Sequence, residues 1–331
     1  MEVEGNPLPE HMKCATHLFY LVGIEDEREA WTDKNYKKVY DDAMQHAINF
    51  EKSQNASTCK KQFKVSSTKN FSVVNIGLVV KYLESEEIGD THLTAVDKQF
   101  FKEYIAIMLT ITKTIEILLD ESYSHLGCLL PILANCMSKL TQIESEGLTH
   151  CLPLSVALGK GIYKRFSEYM EDTDCQMAAG FHPKFRLKWV SKFEDDPEWK
   201  KDLESQMSNE IEKALEKFRE EPSEPQSQKE EFLADITSSD ATKSPDTQQQ
   251  AKTLLKTWLE GPSTNISENC FLGSKPLSYL FIKFNTAIHS SAAFNKFSLK
   301  KMMKAKRPDM TTLNFEKMLF INMNKDYVDR K

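Results

Sequence analysis

Four apolar stripes with helical spacing between residues 99 and 220 constrain the fold more than any other feature of the sequence. In each stripe apolar residues recur at three- and four-residue steps, as on the buried face of an amphipathic α-helix. The stripes run from Phe101 to Leu119, Leu129 to Ile143, Leu154 to Tyr169 and Trp199 to Phe218. Strict strand-like alternation is hard to find outside residues 71–76, which could equally open a helix. The sequence therefore predicts a mostly α-helical protein.

The composition indicates a folded chain without a membrane span. Of the 331 residues, 40% are hydrophobic and 10% aromatic, which is enough for one or two packed cores. No window holds 18 uncharged apolar residues, and the acidic first residues do not resemble a secretory signal. The seven cysteines form no C-x-x-C pair, which favours buried thiols in a reducing compartment.

Acidic charge is concentrated in one region of the sequence. Between residues 194 and 260 there are 18 acidic and 9 basic side chains, although the whole chain carries only −6. Within this region, residues 221–252 are rich in Glu, Ser, Gln, Pro and Thr and poor in apolar residues. Such a composition predicts a disordered acidic linker with boundaries near 220 and 252.

Motifs for metal binding or catalysis are weak. Cys14 and His17 form a C-x-x-H pair, but two ligands do not complete a tetrahedral zinc site and no second pair is near in sequence. The segment Gly159-Lys160-Gly161 lacks the spacing of a phosphate-binding loop and lies inside an apolar stripe. Residue spacing therefore predicts no metal site, no cofactor and no catalytic residue.

Two features near the C-terminus predict binding. Between residues 296 and 307 there are six basic residues and no acidic one: Lys296, Lys300, Lys301, Lys304, Lys306 and Arg307. This basic cluster is a candidate nucleic-acid contact or nuclear-import signal, with a solvated loop as the alternative. A short apolar stripe follows, and it needs a partner in this chain's core or in a second chain: Phe315, Met318, Leu319, Phe320 and Met323.

Several stretches resemble one protein family. The run from Leu280 to Ala293, followed by Phe297-Ser298-Leu299 and by Asn314 to Phe320, is similar to the C-terminal dimerisation region of hAT-superfamily DNA transposases. Three further stretches resemble the same family in the same order, namely Leu8 to Leu18, Pro153-Leu154 with Ile162 to Phe166, and Ala178 to Phe185. Together they span nearly the whole chain.

The resemblance implies a domain organisation. Residues 1–98 would be a remnant around the Cys-x-x-His stretch, and 99–220 a helical bundle resembling the hAT insertion domain. The linker 221–252 would lead to 253–331, a dimerisation-like region. The expected fold is mostly α, with this C-terminal part a helical remnant of a ribonuclease-H-like domain that lacks its catalytic strands.

Departures from the family pattern predict that the chain is not an enzyme. Such transposases hold divalent metal ions with two Asp and one Glu. Both Asp precede the Cys-x-x-His stretch in the family, whereas residues 1–13 contain Glu2, Glu4 and Glu10 but no Asp. Asn295 stands at the position of the family's Glu.

The resulting prediction is a catalytically inactive, transposase-derived protein that acts by dimerisation or partner binding. Its partner would be a second copy or a related hAT-derived protein, and the compartment the nucleus, with the cytoplasm as the alternative. The alternative hypotheses are that the chain binds DNA weakly and non-specifically, or that it is a non-functional fragment of a degenerate element. No cofactor, membrane or small-molecule substrate is expected.

Overall fold

A computed structural model of the chain describes residues 13–52, 93–193, 197–220, 246–266, 271 and 273–289. Ten α-helices lie in these ranges: α1 (Ala15–Ile24), α2 (Lys34–Lys52), α3 (Ala95–Leu118), α4 (Leu129–Ser145), α5 (Leu152–Glu171), α6 (Thr173–Gly180), α7 (Val190–Phe193), α8 (Pro197–Glu220), α9 (Thr247–Glu260) and α10 (Lys275–Asn285). Short 3₁₀ segments occur at Asp26–Thr32, Glu121–Tyr123 and Leu126–Cys128. The described residues contain no β-strand, and the predicted α class is confirmed.

All four predicted stripes form helices. They correspond to α3, α4, α5 and α8, and the apolar face of each is buried. Ile111, Leu133, Leu158 and Met207, one from each helix, are 1% exposed or less. Burial of such a face supplies most of the stability of a helix in a folded protein, which is why the spacing alone identified these helices.

Local capping fixes where several helices begin. Thr94 and Asp97 form a capping box at α3: the Thr94 side chain accepts from the Asp97 amide at 3.1 Å, and Asp97 accepts from the Thr94 amide at 2.7 Å. The Asp172 side chain caps α6 by accepting from the Cys175 amide at 2.7 Å. Ser274 caps α10, whose second residue is proline.

The described residues divide into two compact units. Unit 1 contains 13–52, 93–124, 149–161 and 288–289, and unit 2 contains 125–148, 162–193, 197–220, 246–266, 271 and 273–287. Each unit contains part of residues 99–220, and the domain bounds implied by the family resemblance stay a prediction. An apolar stripe shows which face of a helix is buried but not which other helix covers it.

In unit 1, α1 and α2 pack against α3. The Thr16 hydroxyl donates to the Leu118 carbonyl at 3.2 Å, which joins the start of α1 to the end of α3. Phe100 and Tyr104 of α3 stack with ring centroids 5.7 Å apart, and Tyr36 of α2 lies 6.1 Å from Phe100. These aromatic rings form much of the unit's core.

In unit 2, α8 packs against α9, α10 and α6, and α4 packs against α6 and α7. Trp258 of α9 is fully buried, and its indole N–H donates to the Gly180 carbonyl at 3.0 Å. The guanidinium of Arg186 lies 4.6 Å from the Trp258 ring centroid and donates to the carbonyl of Gly261. Arg186 has a φ of 51°, a conformation that non-glycine residues seldom adopt, within the turn after Pro183.

Two details modify the sequence predictions. Residues 247–252, the end of the predicted linker, are helical and belong to α9, whereas 221–245 lie outside the described residues.

Leu126–Ser145 is long and apolar enough on average to cross a membrane, although it holds no run of 18 uncharged apolar residues. That segment is 61% buried, as expected of a core helix in unit 2.

Candidate functional site

Helix α10 presents an apolar residue to solvent within the stretch that carries the family resemblance. Its buried face consists of Leu277, Leu280, Phe281 and Phe284. On the opposite face Ile282 is 62% exposed, more than any other large hydrophobic residue in the described part of the chain. An exposed isoleucine on a helix whose other face is anchored is a candidate contact residue.

A buried asparagine anchors the end of α10. Asn285 is 3% exposed; its side-chain N–H donates to the Ala178 carbonyl at 3.0 Å, and its side-chain oxygen accepts from the Gly127 amide at 2.9 Å. Phe181 and Phe284 stack beside it with centroids 5.9 Å apart. Residues 178–181 and 284–285, which lie in two of the stretches that carry the predicted hAT resemblance, are therefore in direct contact in unit 2.

The contact of Asn285 with Gly127 and Ala178 requires a glycine at position 127. A Cβ at this position would lie 2.2 Å from the Ala178 carbonyl oxygen and 2.4 Å from the Asn285 side-chain oxygen. Neither distance is possible between non-bonded atoms, and the first atom belongs to the backbone and cannot rotate away. The close approach of the 3₁₀ segment to α6 and α10 thus depends on glycine.

Unit 1 contains a second contact of this kind, between Ala15 and His289, which also lie in stretches that carry the predicted family resemblance. The His289 carbonyl accepts from the Ala15 amide at 2.9 Å, and the His289 amide donates to the Ser124 carbonyl at 3.3 Å. The imidazole Nε2 lies 2.6 Å from the Tyr123 carbonyl oxygen, which can only accept, so Nε2 carries the proton. This buried histidine fixes the chain next to the start of α1.

Cys128 and His182 form a buried pair in unit 2. His182 Nδ1 accepts from the Lys184 amide at 3.2 Å, so the neutral ring carries its proton on Nε2, 3.6 Å from Cys128 Sγ. Burial lowers the pKa of His182 to about 4 and raises the pKa of Cys128 to about 12. The imidazole cannot accept the thiol proton at Nε2, and the pair packs as neutral groups rather than as a nucleophile and its base.

Glu103 organises the start of α5 in unit 1. The side chain is 5% exposed and accepts hydrogen bonds from the amides of Thr149, His150 and Cys151 at 2.9, 2.8 and 2.9 Å. Burial raises its pKa, but the hydrogen bonds from Gln99 and from these amides outweigh burial and hold the pKa below its ordinary value. The carboxylate therefore stays charged, and it accepts hydrogen bonds from backbone N–H groups that directly precede the first turn of α5.

The other predicted site residues have different positions. Cys14 is half-buried and His17 exposed, and no group of three His, Cys, Asp or Glu in the described ranges could hold a metal ion. The predicted association stripe 315–323, the basic cluster 296–307 and Asn295 lie outside the described residues, and these predictions are not tested.

Comparison of the chain with protein-family profiles, curated proteins and solved structures finds no match in any of the three. The relation to hAT transposases stays a prediction from the sequence motifs.

Sequence reasoning did not single out Ile282, Asn285, Gly127 or Glu103. Asn285 carried a signal, because it is a polar residue directly after a segment, 280–284, in which four of the five residues are apolar. Glu103 likewise interrupts an apolar stripe, between Phe101 and Tyr104. A polar residue among buried positions indicates a specific hydrogen-bonding role, although not its partner.

Proposed function

We propose that this chain is a catalytically inactive, transposase-derived protein that acts by self-association through its C-terminal region. A related hAT-derived chain is the alternative partner. In this proposal the helices between 99 and 220 correspond to the hAT insertion domain, and 253–331 to a helical remnant of the ribonuclease-H-like domain. The observation that carries it is the exposed Ile282 on α10, inside the run that resembles the family's dimerisation region.

The anchoring of α10 supports a role in binding. Asn285 and Phe284 hold one side of α10 against Ala178 and Phe181, and Ile282 lies on the opposite, exposed side. A contact residue on a rigid helix loses little conformational freedom when a partner binds, so more of the contact energy remains as affinity. The predicted stripe 315–323 would add the apolar area that a single isoleucine cannot supply.

Association is tested by replacing Ile282 with aspartate. A charge placed in an apolar contact is expected to weaken self-association by about 30-fold or more, since it must lose its water shell without a partner. Size-exclusion chromatography with light scattering across a dilution series measures this change.

The matched control is Leu109→Asp, which alters another exposed residue, 44% accessible, on α3 in unit 1. The control is expected to associate like the unaltered chain. If Ile282→Asp associates as tightly as Leu109→Asp, then α10 does not take part in the contact.

Catalytic inactivity is argued from Asn295, which stands at the family's metal-binding Glu. Divalent ions in such sites need carboxylate oxygens, and a neutral amide is a weaker ligand. The pure protein is expected to leave duplex DNA uncut in the presence of Mg²⁺ or Mn²⁺. DNA cutting that disappears in the Asn295→Ala variant would contradict this part of the proposal.

A further inference from the structure

Unit 2 contains a small cleft bounded by three helices. Its volume is about 270 Å³, and α6, α8 and α10 each contribute to its walls. Drug-sized ligands occupy cavities of about 300–1,000 Å³, so this cleft suits a smaller molecule. Of its lining residues, the self-association proposal uses only Phe284, as an anchor of α10.

The cleft combines apolar and polar surfaces. Met177 of α6 and Phe284 of α10, which are 1% and 7% exposed, provide an apolar surface. Gln206 and Asn209 of α8 contribute two carboxamides. Seven of the nine lining residues are polar or charged, so the cleft suits a polar molecule with a small apolar part.

One wall of the cleft carries two ammonium groups on a single carboxylate. Lys283 Nζ lies 2.6 Å from Glu210 Oε2, and Lys213 Nζ lies 2.8 Å from Glu210 Oε1. The three groups together have one excess positive charge. Each ammonium has three N–H donors, and Glu210 takes one from each, so the wall can also bind a carboxylate from a ligand.

A carboxylate on α6 adds a negative charge to the cleft, whose other wall has an excess positive charge. Asp174 is exposed, lines the cleft and has Thr173 as its neighbour. A simple organic anion would bind next to the lysines but would be repelled by Asp174. A ligand with both an ammonium and a carboxylate group satisfies both charges.

We propose that this cleft binds a free α-amino acid with a branched aliphatic side chain. The ligand carboxylate contacts Lys213 and Lys283, its ammonium contacts Asp174, and its side chain packs on Met177 and Phe284. The site is a binding site for a ligand and involves no chemical conversion. With about nine non-hydrogen atoms the ligand is expected to bind in the millimolar range.

The test is titration of the full chain with L-leucine, followed by NMR of methionine methyl groups. The chain has 13 methionines, and the variant Met177→Leu assigns the signal that lies in the cleft. This signal is expected to move on titration. Leucinamide lacks the carboxylate and 4-methylpentanoate lacks the ammonium, so each is expected to bind about tenfold more weakly or worse.

Two exposed residues provide variants that should keep the fold. Asp174→Asn and Lys213→Gln are each expected to weaken L-leucine binding by about tenfold, with thermal unfolding unchanged. The inference is overturned if the Met177 signal does not move up to about 50 mM ligand. It is also overturned if the three compounds shift the signal equally. None of these readouts depends on self-association.

Discussion

Replacing Gly127 with alanine is expected to destabilise unit 2 by about 3 kcal/mol or more. The new methyl group would lie 2.2 Å from the Ala178 carbonyl oxygen, so the 3₁₀ segment must move away from α6. That movement also separates the Gly127 amide from the Asn285 side chain, which leaves buried polar groups without partners. Thermal unfolding followed by circular dichroism should show a midpoint lower by about 10 °C or more.

Gly159→Ala is the matched control. Gly159 lies within α5, and no atom is within 4 Å of the place its Cβ would occupy. Alanine has the higher helix propensity, so this change is expected to stabilise the chain by about 0.5–1 kcal/mol. If Gly127→Ala and Gly159→Ala have the same effect on unfolding, then the close approach at Gly127 does not exist.

Replacing Glu103 with glutamine is expected to destabilise unit 1 by about 3 kcal/mol. The two carboxylate oxygens accept from three backbone amides, at residues 149, 150 and 151. Glutamine has almost the same shape but only one acceptor oxygen, so its NH₂ group must face at least one amide N–H. Chemical denaturation should show a lower midpoint, whereas Glu116→Gln on the exposed face of α3 should change stability by less than about 0.5 kcal/mol.

The effect of Glu103 should also depend on pH. Its pKa is lowered in the folded chain below the ordinary value of 4.5, so the stabilisation is complete above that value. It is lost as the pH falls from that value through the folded pKa, because over this interval the unfolded chain binds a proton at Glu103 more readily than the folded chain does. The stability difference between the unaltered chain and Glu103→Gln should therefore be constant from about pH 7 to pH 5 and shrink below. A difference that grows on acidification would contradict the proposed role.

The helices of this chain could be predicted because their signal is local. The stripes that became α3, α4, α5 and α8 depend on spacing within one segment, and each segment folds as its spacing predicts. The linker prediction failed at 247–252 because composition alone does not detect a helix such as α9, which buries Leu255 and Trp258 beyond the polar residues at its start.

Long-range pairs were not predictable in the same way. The bonds from Asn285 to Gly127 and Ala178 join residues 158 and 107 positions apart, and no periodicity relates them. The cleft likewise depends on side chains from α6, α8 and α10 that are distant in sequence. Such sites follow from tertiary packing, of which a single sequence shows only the apolar faces.

Sedimentation velocity of the full chain over about a 100-fold concentration range tests the central claim most directly. The chain has a mass of 38.1 kDa, and we expect it to sediment as a dimer that dissociates on dilution. Leu319→Asp, in the predicted stripe, should shift the equilibrium strongly toward the monomer. A monomer at every concentration, or a dimer that Leu319→Asp leaves unchanged, would contradict self-association through the C-terminal region.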